Sequence, residues 1–148
     1  MKKNKAVYIA IHCSATKPDQ NITMETIRQW HLDKGWSDIG YNFVIERDGT
    51  TKGGRDLDGD GDHFEEIGAH VRGYNSKAIG ICLAGGIDKS GKPDSNFTRH
   101  QYKSLETLVE QIKGMYPDSI VQGHRDFPNV AKACPSFDAV AWWGEDVS

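Results

Sequence analysis

Basic residues are not in excess in this sequence: 18 lysines and arginines face 21 aspartates and glutamates. That balance argues against a polyanionic partner and excludes nucleic-acid binding as the main task. Long apolar runs are also missing. No stretch approaches the ~20 residues of a membrane-spanning helix, so no membrane insertion is expected. The start, MKKNKAVYIAIHCSA, imitates a secretion signal. Its apolar run AVYIAI is shorter than the ~7–15 residues such signals use, and it stops at a histidine. It reads as a first strand, and the protein as one made in the cytoplasm without an export signal. Cysteine is scarce and odd in number, at Cys13, Cys82 and Cys134, which excludes a disulfide framework. The CxxC and HxxxH spacings of structural zinc are absent. There are no repeats, low-complexity tracts or linkers, so residues 1–148 form a single domain.

What is present alternates between strand and helix. The first strand is expected over residues 6–11. A helix follows over 24–34, with Thr23 as N-cap, Glu25 in its first turn and Gly35 as stop. YNFVIERDGTTK reads as a hairpin around Asp48-Gly49. AIGICLAGG is a short buried strand. The second long helix begins at Thr98, which forms a capping box with Gln101. SIVQGH is a strand ending at His124, and SFDAVAWW a last short helix. The pattern predicts an α/β fold, a central mixed β-sheet flanked by helices.

His12 and His124 each stand at or just past the end of an apolar strand, where sites gather in open α/β sheets. Cys134 precedes a proline, which holds it on a stiff, extended backbone. That placement suits a metal ligand, a nucleophile or a buried plug. Two imidazoles and a thiolate would supply the three protein ligands of a catalytic zinc and leave one position open. If His12 faces a cleft, Cys13 faces the core, because neighbouring strand side chains alternate. Cys82 reads as a small hydrophobe.

The acidic stretch DLDGDGDHFEE starts like a calcium-binding EF-hand loop at Asp56, Asp58 and Asp60. The bidentate glutamate expected at position 12 is missing: Ile67 stands there, with Glu66 one short. It therefore reads as a solvated turn, and calcium is not expected.

Taken together, HCSATKP, IRQWH, GWSDIGYNFVIERDGT, GAHVRGYN, IGICLAGGID and AKACPSFD resemble the zinc-dependent N-acetylmuramoyl-L-alanine amidases of the phage-lysozyme type, relatives of the animal peptidoglycan recognition proteins. The resemblance runs from about residue 6 to residue 143. It implies one catalytic zinc held by His12, His124 and Cys134, with Tyr41 and Lys132 assisting catalysis. It further implies that His70 and Asn75 line the substrate groove, although His70 also suits a place behind the metal ligands or in the core. The implied reaction is cleavage of the amide between N-acetylmuramic acid and L-alanine in peptidoglycan, by a monomer acting on the cell wall after release in a phage or prophage context. Such proteins can also bind the phage RNA polymerase. Members of the fold that lack the cysteine bind peptidoglycan without cutting it. A thiol hydrolase with Cys134 as nucleophile and His124 as base is the remaining alternative, and metal removal separates it from a zinc enzyme.

Overall fold

A computed structural model describes residues 3–130 and 132–147; Met1, Lys2, Ala131 and Ser148 lie outside the described residues. Five strands form one sheet in the order β3-β2-β4-β1-β5. They are β1 (Tyr8–Cys13), β2 (Phe43–Ile45), β3 (Thr51–Gly53), β4 (Ala78–Leu83) and β5 (Ile120–Gly123). Strand β1 runs parallel to both β4 and β5, β2 is parallel to β4, and only the β2–β3 hairpin is antiparallel. The sheet is mixed, as the pattern predicts.

Helix α1 (Met24–Asp33) is capped by the Thr23 side chain, which accepts from Thr26 N–H at 3.2 Å. Helix α2 (Arg99–Met115) opens with the Thr98–Gln101 capping box. Gln101 is fully buried and does more than cap. Its Nε2 donates to the carbonyls of Ile45 at 3.1 Å and Ala84 at 2.9 Å, tying the helix to the ends of β2 and β4. A short helix α3 (Ala139–Ala141) continues as π-helical turns over Trp142–Val147.

Alternation along β1 divides the molecule. Ile9, Ile11 and Cys13 join Ile79, Ile81 and Leu83 of β4 beneath Leu105, Leu108, Val109 and Ile112 of α2. This face is apolar and covered by α2. The opposite face carries Ala10 and His12; there Ile22, Met24 and Ile27 from α1 and the segment before it pack on Val44 and Cys82. Cys82 thus sits in the core as a small hydrophobe, while Cys13 is buried on the α2 side with its thiol in reach of Cys134.

Strand β1 lies two residues later than the apolar run suggests. Its extent is set by its partners: His12 pairs with Cys82 and Cys13 with Leu83. His12 is therefore inside the sheet and only 1% exposed.

Candidate metal centre and active-site cleft

Strands β1 and β5 are parallel neighbours, with Ile11 opposite Gly123. The next residue on each chain is a histidine, and the His12 and His124 rings lie 4.5 Å apart between centroids. His124 opens a 3-10 turn, His124–Asp126, whose geometry is fixed when Asp126 Oδ2 accepts Gly123 N–H at 2.8 Å. Cys134 is brought back by two contacts. Arg125 N–H donates to the Cys134 carbonyl at 2.9 Å, and Cys13 N–H donates to Cys134 Sγ at 3.1 Å. Close packing completes the corner. A Cβ on Gly123 would lie 2.6 Å from Pro135 Cδ, so only glycine lets the two segments meet. One ligand atom from each of His12, His124 and Cys134 then falls within 4.8 Å of the others.

The hydrogen-bond chain behind His12 selects its tautomer. His70 Nε2 lies 3.2 Å from the Ala78 carbonyl, which can only accept, so that nitrogen carries the proton. His70 Nδ1 is then an acceptor, and it lies 2.9 Å from His12 Nε2. His12 donates there, which leaves its Nδ1 lone pair directed elsewhere, as a metal-ligating histidine requires. Electrostatics agree. Burial, with His70, His124 and Lys132 adding to it, holds His12 well below its usual range. Burial and then Lys132 lower His124 in the same way. Both imidazoles are neutral near pH 7. The hydrogen bond with the Cys13 thiol, then burial, push the Cys134 thiol up, so its thiolate needs a cation beside it. Two neutral imidazoles and a thiolate around a common point fit zinc in donor type and number.

The remaining sequence-predicted residues surround this point. Tyr41 stands over His12 with ring centroids 5.1 Å apart. Burial, then the nearby cysteines, raise its phenol well above the usual range, so it remains a neutral donor. Lys132 is exposed and borders a cleft of about 370 Å³ together with Trp36, His70, Arg72, Asn75 and His124. A second hollow of about 450 Å³ shares Arg72 and His124 with it and extends past Tyr74 to Val130. Asn75 borders the cleft but spends its Oδ1 on the backbone N–H groups of His70 and Val71, at 2.8 and 2.9 Å. It shapes the turn that carries His70. His31 is structural: its Nδ1 accepts Gly40 N–H at 2.9 Å, one residue before Tyr41. His63 is half-buried, with Nδ1 3.2 Å from the Arg55 carbonyl.

Sequence reasoning did not find the His12–His70–Ala78 chain. One signal was available. Gly80 sits inside an apolar strand, and a strand glycine marks close approach; a Cβ there would lie 2.6 Å from His70 Nδ1.

The fold and site define a class: a mixed-sheet α/β protein with a His-His-Cys corner at the carboxyl ends of adjacent parallel strands, open to a groove. Residues 2–137 match the N-acetylmuramoyl-L-alanine amidase family model. The chain belongs to the N-acetylmuramoyl-L-alanine amidase family and is a peptidoglycan-hydrolysing amidase. It is 44% identical over 142 residues to the endolysin of Klebsiella phage KP32, covering 96% of this chain and 88% of the relative. It is 47% identical over 135 residues to the endolysin of Escherichia phage T7, covering 91% and 83%. Among solved structures it is similar to the amidase LysC from Clostridium intestinale, with TM-score 0.71, 29% identity, and coverage of 89% of this chain and 77% of that one. Bumblebee PGRP-SA shares the fold, with TM-score 0.77 at 24% identity over 99% of this chain and 86% of the other.

Proposed function

We propose that this chain is a zinc amidase of the endolysin type, which cuts the bond between the lactyl carbonyl of N-acetylmuramic acid and the amine of L-alanine. The observation that carries this reading is the meeting of His12, His124 and Cys134 ligand atoms within 4.8 Å at the edge of the cleft that Lys132 borders. The phage endolysins at 44% and 47% identity support a lytic role on the cell wall.

His12 Nδ1, an imidazole nitrogen of His124 and Cys134 Sγ would hold the ion. Bound there, zinc supplies Lewis acidity and a water whose pKa is drawn towards ~7. The protein residues do the rest. Arg72 and Asn75 line the groove and, with Trp36, orient a peptide stem along it. Lys132 brings an ammonium to the cleft and stabilises the negative charge that develops on the carbonyl oxygen. One such donor typically contributes ~100–1,000-fold in rate. Tyr41 keeps its phenolic proton at neutral pH and donates it towards the reacting centre, either to the same oxygen or to the departing amine. The His70 ring, fixed at both nitrogens, keeps His12 in its ligating tautomer.

The test is digestion of purified peptidoglycan, with and without a chelator, followed by mass analysis of the soluble products. Free L-alanine amino termini that vanish with chelator and return with zinc are the expected result. Activity that survives complete metal removal would point to Cys134 as nucleophile. Products cut between sugars would refute the amidase reading.

A further inference from the structure

The acidic loop over residues 56–66 holds a second group with metal-ligand geometry. Asp56, Asp58, Asp60 and Glu66 each bring a carboxylate oxygen within 4.8 Å of the others. Acidic clusters are common on surfaces, and proximity alone carries little weight. Glu66 changes the argument. It is only 1% exposed, and its side chain turns inward to the three aspartates. Its Oε1 accepts Leu57 N–H at 2.9 Å, but its Oε2 is buried with no partner. Asp56 repeats the pattern: Oδ2 accepts Gly61 N–H at 2.9 Å and Oδ1 is buried without a partner. Buried carboxylate oxygens left unsatisfied are costly, and a cation among them would satisfy both. Among the described residues no lysine or arginine pairs with these four. Lys3, paired with Glu65 at 2.8 Å, adds its charge to Asp60 from one side but contacts none of the four.

We propose that this loop is a calcium site, with Asp56, Asp58, Asp60 and Glu66 as ligands. All four donors are hard oxygens on a glycine-containing loop, which suits calcium's preference for six to eight flexible oxygen ligands and not the nitrogen and sulfur taste of zinc. The loop starts like an EF-hand but closes one residue early: Glu66 at position 11 does the work of the usual glutamate at position 12. Burial, reinforced by Asp58, Asp56 and Asp60, raises the Glu66 carboxyl above its ordinary range. A divalent cation removes that repulsion.

The site is structural, and its position says what it steadies. The Glu66 carbonyl accepts Asn42 Nδ2 at 2.8 Å and Asn4 Nδ2 at 3.1 Å. Asn42 Oδ1 accepts Gly80 N–H at 2.9 Å. Asn42 follows Tyr41, and Gly80 lies under His70. Calcium would lock the loop onto the two strands whose neighbours carry the active-site residues.

The experiment uses zinc-loaded protein in calcium-stripped buffer, titrated with calcium chloride by calorimetry and followed by thermal unfolding. A single calcium ion per chain should bind with Kd of ~10⁻⁵–10⁻³ M. At calcium about 100-fold above Kd the melting temperature should rise by about 8 °C. Asp58→Asn and Asp60→Asn, both at exposed positions, should each weaken binding at least about tenfold, and Glu66→Gln should abolish it. Cys134→Ser should bind calcium normally, which separates this site from the zinc centre. Absence of both heat and thermal shift at about 10 mM calcium, well above that affinity range, would overturn the proposal. So would binding that survives the Asp58 and Asp60 changes, or that disappears with Cys134→Ser.

Discussion

His12, His124 and Cys134 come from opposite ends of the chain, whereas Asp56, Asp58, Asp60 and Glu66 all lie within residues 56–66. The first cluster is made by strand pairing and a returning loop, and its donors are nitrogen and sulfur. The second is made by one loop, and its donors are oxygen. The difference teaches how selectivity arises without any ion-specific pocket. Distant segments held by a sheet can fix three soft donors and leave the fourth side open for chemistry. A single loop can gather many hard donors and close around an ion. One arrangement suits catalysis, the other stability.

That contrast can be broken at the His-His-Cys corner first. Cys134→Ser should reduce amidase turnover to background and remove zinc, as read by elemental analysis of the purified protein. The loop's response to calcium should be untouched. Lys132→Ala tests chemistry apart from metal binding. Turnover should fall ~100–1,000-fold while zinc content stays at one per chain. His70→Gln should weaken zinc affinity ~10–100-fold in competition with a chromogenic chelator, because His12 loses the partner that fixes its tautomer. Gly80→Ala should act in the same direction, since its methyl group displaces the His70 ring.

A smaller effect lies in the pH dependence of stability. Burial lowers the His70 pKa to about 4, and it also lowers His12 and His124. In the unfolded chain histidine protonates near 6.5. Between these values the unfolded state binds more protons, so stability is full above about pH 6.5 and is lost as pH falls towards 4. For His70 the slope is about 1.4 kcal/mol per pH unit across this window. Denaturant titrations from pH 7 to pH 4 should show it, and His70→Gln should flatten it. The smallest effect sharpens the comparison from the other side: Asp58→Asn should leave both zinc content and turnover unchanged in calcium-free buffer.

Much of the scaffold is legible in the residues. The Thr98–Gln101 box starts α2 where the pattern places it, since capping depends on side chains three residues apart. The hairpin around Asp48-Gly49 forms for the same local reason. The start and end of β1 are not legible, because a strand's length is decided by its neighbours. His70 is visible as a histidine near the site, yet its task depends on a ring lying over Gly80 of another strand. Counting along a standard loop leaves Glu66 one position short. Only the folded loop shows that position 11 reaches the three aspartates.

The sequence alone determined the donor types, the alternation that turns His12 and Cys13 to opposite faces, and the caps that start both long helices. These follow from covalent chemistry and from interactions a few residues apart. The tertiary structure decided which histidine nitrogen is free, which glycine makes room for Pro135, and which acid joins the loop. Those outcomes depend on distances between segments remote in sequence, and only packing sets such distances.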